Sequence, residues 1–330
     1  MLWIRLACLC RGQRTVTISL IEHFGDIVAC EPVARHVRKT RPNAYIIWCL
    51  RWPYRELMEH HPDVDRILVV NCLTEWILLR RFKIAGEFVD LHPRGRKCSV
   101  CNRPLEKSEG EPGLNILNYY NFGSLLQAFC RSAGLSEMEE TAPRVYIPES
   151  AVETVDRLNL PEEFVIFHAR SNESARNWNE KKWAELLESI RTDLKIFTIE
   201  VGLSPALVSS SPRYRSLCGQ VSFIELAEVI RRANLFIGVD SGPAHLANAV
   251  ECPGVILLGR YHQFSNYFPY DGFFAQGGAT VVRTNGALSS LETEKVLSAV
   301  ENKLSAIRAR AAGKLGSAYV NRKAAPPKDS

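Results

Sequence analysis

Residues 234–259 read NLFIGVDSGPAHLANAVECPGVILLG, and their order decides the fold class: an apolar strand, a DSGPAH turn, a helix and a second apolar strand. Leu235–Val239 is too short and too apolar for anything but a buried strand. The helix spans Pro243–Val250, because Pro243 suits a first turn, where a missing N–H costs little. Val255–Leu258 returns as a strand. Short connections on both sides of a helix make this a parallel crossover, the unit of an α/β sheet. The helix start near Gly242 offers free backbone N–H groups and the positive end of a dipole, a place where a diphosphate fits. Gly242 lets a ligand approach closely, Ser241 can donate a hydroxyl hydrogen, and Asp240 and His245 can face the same space. The plainer reading is a turn capped by Asp240 or Ser241, with His245 as a polar core residue.

The same rhythm extends on either side. Thr15–Ile21, Ala44–Leu50, Arg66–Val70 and Glu87–Leu91 read as strands in the first half. Helices are expected at 27–40, 54–61, 73–82 and 119–133. A Gly-, Pro-, Lys- and Arg-rich stretch, 92–117, is long for a loop, which is usual for functional segments. Pro143 and Pro148 flank an extended linker. The second half gives strands at Phe164–His168 and Lys195–Val201. Its helices are expected at 180–191 and at 222–232, the latter opened by a Ser222/Glu225 capping box, with a last one capped by Ser289/Glu292. The expectation is an α/β chain of two doubly wound, Rossmann-like parallel-sheet domains facing across a cleft. One covers 1–150 (1–14 an extension, 92–117 the long loop) and the other 151–288. A terminal helix at 289–309 and a disordered basic tail at 310–330 complete the expected organisation.

With 330 residues, 46% apolar and 23% charged, the composition is that of a globular enzyme. The net charge of +5 sits at one end. Residues 303–330 carry seven basic residues against the single acid Asp329, so the rest of the chain is near −1. A nucleic-acid partner is therefore not expected. No run approaches the roughly 18–20 apolar residues that cross a bilayer. Met1–Cys10 is short, interrupted by Arg5 and without a leader-type cleavage pattern. The apolar settings of Cys30, Cys49, Cys130, Cys218 and Cys252 suit reduced, buried thiols and a cytoplasmic chain. Neither GxGxxG nor GxxxxGK[ST] is present, which removes the dehydrogenase and P-loop readings.

Three segments carry a family resemblance. FIGVDSGPAHLANAV (236–250) resembles the nucleotide-binding signature of glycosyltransferase family 9, the ADP-heptose lipopolysaccharide heptosyltransferases. ISLIEHFGDIVACEPVARHVRKTRPNAYI (18–46) resembles that family's opening, and FVIFHARSNESARNWNEKKWAELLESI (164–190) its second-domain start; together they span about residues 15–260. The resemblance implies a GT-B fold and inverting, metal-independent transfer from a nucleotide sugar, ADP-heptose favoured. The acceptor would be an anionic saccharide or glycolipid, at the cytoplasmic side and peripheral to the inner membrane. Asp26, after Gly25, takes the family's general-base position; a plain helix cap is the alternative. Arg176 stands where the family generally has a donor-phosphate lysine, a departure because the two cations differ in geometry.

Beside these, Ser171, Asn172 and Arg170 form a polar loop. Glu200, at a strand end, could accept from a ribose or adenine group or be an ordinary strand-end acid. Arg94, Arg96, Lys97 and Arg103 could meet an anionic acceptor or be a solvated loop. Glu22 and His23 are further cleft candidates without a firm role. Trp178 is expected to cover the polar loop and Trp183 to pack its helix. Phe264, Tyr267, Phe268 and Tyr270 could border the ligand. The preceding Gly259-Arg260-Tyr261-His262 departs from the family's turn. Neither metal nor cofactor is expected, since no DxD-type acidic pair lies in a suitable context. Cys98 and Cys101 form a CxxC near Cys72 and His92; without the second pair that zinc sites usually show they read as an unligated loop, with a metal site or a redox pair as the alternatives. A nucleotide-sugar epimerase or hydrolase, or a non-catalytic nucleotide- or glycan-binding scaffold, are the alternatives.

Overall fold

A computed structural model describes residues 12–81, 86–106 and 108–323, with side chains described as far as Arg310. Residues 1–11, which hold Cys8, Cys10 and most of the expected extension, lie outside the described residues, as does Phe82.

Strands β1 (Thr15–Ser19), β2 (Tyr45–Arg51), β3 (Arg66–Val70) and β4 (Glu87–Asp90) form a parallel sheet in the order β3-β2-β1-β4. Strands β5 (Phe164–His168), β6 (Phe197–Glu200), β7 (Tyr214–Ser216), β8 (Leu235–Val239), β9 (Gly254–Leu258) and β10 (Ala279–Arg283) form a second, in the order β10-β9-β8-β5-β6-β7. Its pairings are parallel throughout. FVIFH, LFIGV and GVILL are buried at every position, because helices cover both faces of a parallel sheet. Strand order reverses between β1 and β4 and between β5 and β8. Such reversals open a crevice at the carboxyl ends of the strands.

Helices follow as α1 (Phe24–Ala29), α2 (Pro32–Thr40), α3 (Glu56–Glu59), α4 (Leu73–Arg81), α5 (Leu125–Ser132), α6 (Glu149–Asp156), α7 (Glu180–Thr192), α8 (Phe223–Arg232), α9 (Gly242–Ala249) and α10 (Thr293–Lys323).

Several element expectations are corrected. The single helix at 27–40 is two, α1 and α2, because Pro32 has no N–H to continue the ladder onto Val28; Glu31 N–H turns back to the Val28 carbonyl at 3.3 Å instead. The helix at 119–133 is a 3-10 turn, Tyr119–Phe122, followed by α5. Gly123 at φ 115° breaks the run, and a Ser124/Gln127 capping box restarts it. Leu288–Ser290 is a short turn, so α10 begins after, not at, the expected cap. At its far end α10 runs past 309 to Lys323, where a disordered tail was expected; residues 324–330 lie outside the described residues. Ala, Arg, Lys and Leu favour helix without needing an apolar face to bury.

One buried cluster joins the two sheets' inner helices, from Val16 and Trp48 through Leu125 and Phe129 to Ala244 and Tyr270. A second lies behind the β5–β10 sheet around Phe167, Trp178 and Trp183. Trp178 there donates to the Leu291 carbonyl at 2.9 Å. Among the described residues no helix is long and apolar enough to cross a membrane.

Candidate active site

The site is built where β5 and β8 end side by side. β8 hands over through Asp240 to Ser241, whose extended backbone (φ −164°) sets it as the residue before α9 without a side-chain cap bond. Its hydroxyl is engaged elsewhere: Oγ lies 3.0 Å from the Val239 carbonyl and 2.9 Å from His168 Nδ1. With the hydroxyl hydrogen on Val239, the imidazole donates through Nδ1 and keeps Nε2 free beside Gly202. Burial pushes His168 down to about 4, so the ring is neutral near pH 7. The first helical turn closes with Ala244 and His245 N–H groups on the Ser241 carbonyl. Among the described residues, Gly242 N–H has no such partner and Pro243 has no N–H to satisfy.

Arg176, in a 3-10 turn after β5, comes back over this strand end. Its guanidinium stacks 3.8 Å from the Tyr261 ring centroid, and Nη1 lies 3.0 Å from Asp240 Oδ2. That contact lacks hydrogen-bond alignment, for Arg176 Nε and Asp240 Oδ2 are both buried without a hydrogen-bond partner, as is His245 Nδ1. Tyr270 donates to Asp240 Oδ1 at 3.3 Å. The His245 ring packs 4.8 Å from Tyr270, with Nε2 3.9 Å from Asp240 Oδ1. Burial lowers His245 despite the nearby Asp240 carboxylate. Burial, the largest single influence, opposes the Arg176 charge, but Asp240 together with Tyr120, Tyr267 and Tyr261 outweighs it and the guanidinium stays protonated. Native interiors rarely leave buried polar atoms unpaired, so three of them in one place make this the candidate ligand site.

Across from the α9 tip lies the first turn of α1. A β-carbon on Gly25 would stand 3.0 Å from the Gly242 Cα and 3.1 Å from His245 Cδ2. The neighbouring Phe24 ring covers the flank of Gly242 where a β-carbon would point. The helix tip is thus half closed by a side chain from the other half of the molecule. His23 before it takes φ 66°, unusual for a residue with a side chain, and this turn brings Asp26 into the first turn of α1. Asp26 Oδ2 meets Arg96 Nη2 at 3.0 Å, both side chains being less than 20% exposed.

Tyr119 and Tyr120 reach from the first half onto the same cluster: Tyr120 lies 4.8 Å from Tyr267 and Tyr119 5.5 Å from Phe264. Burial and the Asp240 charge raise the Tyr267 and Tyr270 phenols, so both remain neutral donors.

The structure therefore gathers Gly25, Asp26 and Arg96 on one side and Arg176, Asp240, Ser241, Gly242 and His245 on the other. Two expectations do not survive. Glu200 is 1% exposed, and its oxygens are taken by Ala206 N–H at 2.5 Å and Tyr214 hydroxyl at 2.6 Å, so it fastens the β6 end rather than facing a ligand. Glu22 is buried, accepting from Ser99 N–H and hydroxyl, and anchors the long loop. Ser171 shapes its own loop, donating N–H to Asn177 and Oγ–H to the Glu173 carbonyl. Arg170 pairs with Glu180 on the surface. Arg94, Lys97 and Arg103 are exposed and carry no ion pair among the described residues. His168, Tyr119, Tyr120 and Tyr261 join the cluster unannounced; of these only Tyr261 had a local signal, standing in an atypical turn.

The chain is similar to known proteins. The model of glycosyltransferase family 9 (heptosyltransferase) matches residues 129–269. A lipopolysaccharide heptosyltransferase 3 of Escherichia coli is 27% identical over 291 residues, covering 71% of this chain and 80% of its own. Among solved structures, the family 9 glycosyl transferase from Veillonella parvula DSM 2008 superposes with a TM-score of 0.67 at 19% identity, covering 88% of this chain and 97% of its own. The E. coli heptosyltransferase WaaC with ADP-2-deoxy-2-fluoro heptose gives 0.58 at 17% identity, covering 87% and 99%. These two superpositions speak for the fold.

Proposed function

We propose that the chain is a GT-B glycosyltransferase of the family-9, heptosyltransferase-like kind, which moves a heptose from ADP-heptose onto the anionic core saccharide of a lipopolysaccharide, inverting the anomeric carbon. The observation that carries this reading is the convergence of partnerless groups. Arg176 Nε, His245 Nδ1 and Gly242 N–H meet at one helix start, with the Asp26 carboxylate on the facing turn.

In this scheme the donor diphosphate seats on the α9 tip and takes the place of Asp240 against Arg176. The Gly242 N–H completes its hydrogen bonds, while Ser241, its hydroxyl already shared between Val239 and His168, shapes the turn rather than donating as the sequence suggested. Asp26 accepts the proton of an acceptor hydroxyl, whose oxygen forms a bond to the anomeric carbon. The bond from that carbon to the phosphate oxygen breaks, and its electron pair leaves with the nucleoside diphosphate. The growing negative charge falls on the guanidinium and the helix dipole, fixed groups that need no reorganisation and no added divalent ion. Arg96 holds Asp26 in place, while Arg94, Lys97 and Arg103 on the same loop attract a phosphorylated acceptor arriving at the inner membrane's cytoplasmic face. The exposed Arg94, Lys97 and Arg103 of the 92–117 loop suit a large, charged acceptor better than a small one.

The test is turnover with ADP-heptose, with and without a core-oligosaccharide acceptor and with and without added Mg2+, followed by NMR of the product linkage. Acceptor-dependent ADP release, indifferent to Mg2+ and giving an inverted linkage, is the expected result. ADP release in the absence of acceptor would identify a hydrolase. Turnover of UDP- or GDP-sugars in preference to ADP-heptose would replace the donor assignment.

A further inference from the structure

We propose that Cys72, Cys98 and Cys101 form a metal site, a three-thiolate clasp for one zinc ion that fixes the 92–117 loop. The three sulfurs lie within 4.8 Å of one another. Zinc–sulfur bonds of about 2.3 Å at tetrahedral angles separate sulfurs by about 3.8 Å, and Cys72 and Cys101 Sγ already stand 3.7 Å apart. The sequence offered the CxxC with Cys72 and His92 nearby; Cys72 lies twenty-six residues before Cys98, and the fold brings its sulfur to the pair.

The turn itself has the form that metal-binding CxxC turns take. Cys98 N–H donates to the Arg103 carbonyl and Asn102 N–H to the Cys98 carbonyl, each at 2.9 Å. Asn102 adopts φ 56°, the left-handed conformation that asparagine tolerates, and lets the hairpin close. Cys101 N–H then points at Cys98 Sγ from 3.4 Å. Amides aimed at a sulfur stabilise thiolate. Cys72 directly precedes α4, so the positive end of that helix adds to the same effect.

His92 is not a ligand: its Nε2 accepts from Ile21 N–H and its Nδ1 meets Asp90. Three protein ligands remain, and the fourth position opens beside Cys101, which is exposed, where water can complete the tetrahedron. Binding exchanges protons for metal: each thiol still protonated releases its proton to solvent, and zinc stays divalent throughout. The ion takes no part in transfer. It ties α4 to the loop whose Ser99 is held by Glu22 and whose Arg96, two residues before Cys98, reaches Asp26. The site stands apart from the proposed reaction, and metal content can be measured whether or not a sugar is moved.

The full-length protein, reduced, loaded with ZnCl2 and desalted, is expected to hold one zinc per chain. Co2+ in its place is expected to give the thiolate-to-cobalt charge-transfer band of a tetrahedral sulfur site. Cys72→Ser, Cys98→Ser and Cys101→Ser should each lose the metal, while Cys218→Ser keeps it. If these variants fold poorly, the wild-type protein still answers: Zn2+ should protect Cys101 from iodoacetamide, and a chelator should restore its labelling. Folded protein that takes up neither Zn2+ nor Co2+ overturns the site. So does a Cys72–Cys101 disulfide, found by intact mass, whose reduction yields no metal binding.

Discussion

Gly25 and Gly242, on opposite halves of the molecule, approach so closely that a β-carbon on the first would lie 3.0 Å from the Cα of the second. Neither position can carry a side chain without moving a neighbour. That absence of side chains lets the α1 turn and the α9 tip face each other with Phe24 and His245 beside them. The proposed chemistry depends on this closeness, since a base and a leaving-group site must share one substrate.

Gly242→Ala places a methyl where the Phe24 ring already stands, 2.0 Å from the nearest ring atom. Overpacking of this kind costs about 1–3 kcal/mol. The variant is expected to unfold earlier in a thermal melt and to bind ADP more weakly. The double variant with Phe24→Leu is expected to recover most of the stability and only part of the affinity.

Asp26→Asn keeps the shape and removes the base. Transfer is expected to fall by about 10²–10⁴-fold, with ADP affinity by calorimetry changed less than threefold. Unchanged turnover would remove Asp26 from the mechanism.

Arg176 is held by a ring on one face and a carboxylate at one edge, so its replacements should separate charge from geometry. Arg176→Lys keeps the charge but loses the planar stack on Tyr261. The donor KM is expected to rise about tenfold to a hundredfold, the range of a lost charged hydrogen bond. Arg176→Ala strands Asp240 as a buried, unpaired charge, at about 3–5 kcal/mol. Adding Asp240→Asn should restore the melting temperature but not the donor affinity.

His168 sets a pH dependence with a definite sign. Its folded value, about 4, lies below the ordinary 6.5, so between these values the unfolded chain binds the extra proton. Stability is therefore full above about pH 7 and falls as pH drops through 6.5 towards 4, by about 3 kcal/mol in all. His245, also lowered by burial, acts in the same direction. Asp90 is depressed as well, but its contribution is lost only below about pH 4, outside this window. Urea unfolding at pH 7.5, 6 and 5 measures the slope, and His168→Gln is expected to flatten it.

What could be read from the chain was what lies close along it. The crossover at 234–259 and the Gly25-Asp26 turn needed only apolar runs, a proline and glycines, and both are where they were expected. Glu200 misled because strand direction places a side chain at an edge but says nothing of its partners. Tyr214 and Ala206, which take its oxygens, come from the next strand and the loop before it. The Asp26–Arg96 pair spans seventy residues and the Cys72–Cys101 contact twenty-nine; no periodicity encodes such meetings. Ser124 and Gln127, by contrast, were a readable helix start that the apolar run around them obscured.

The same Ser124 has a larger consequence. Its hydroxyl meets Asp271, and the next residue, Leu125, gives its N–H to the Pro269 carbonyl at 3.2 Å, so the last helix of the first half is stitched to the second half. Phe24 leans on the Gly242 tip that the proposed nucleotide sugar must reach. If the seam at Ser124 holds while Phe24 swings away, the molecule opens like a book bound along one spine. Substrate entry would then be governed less by the cleft than by how freely that spine flexes.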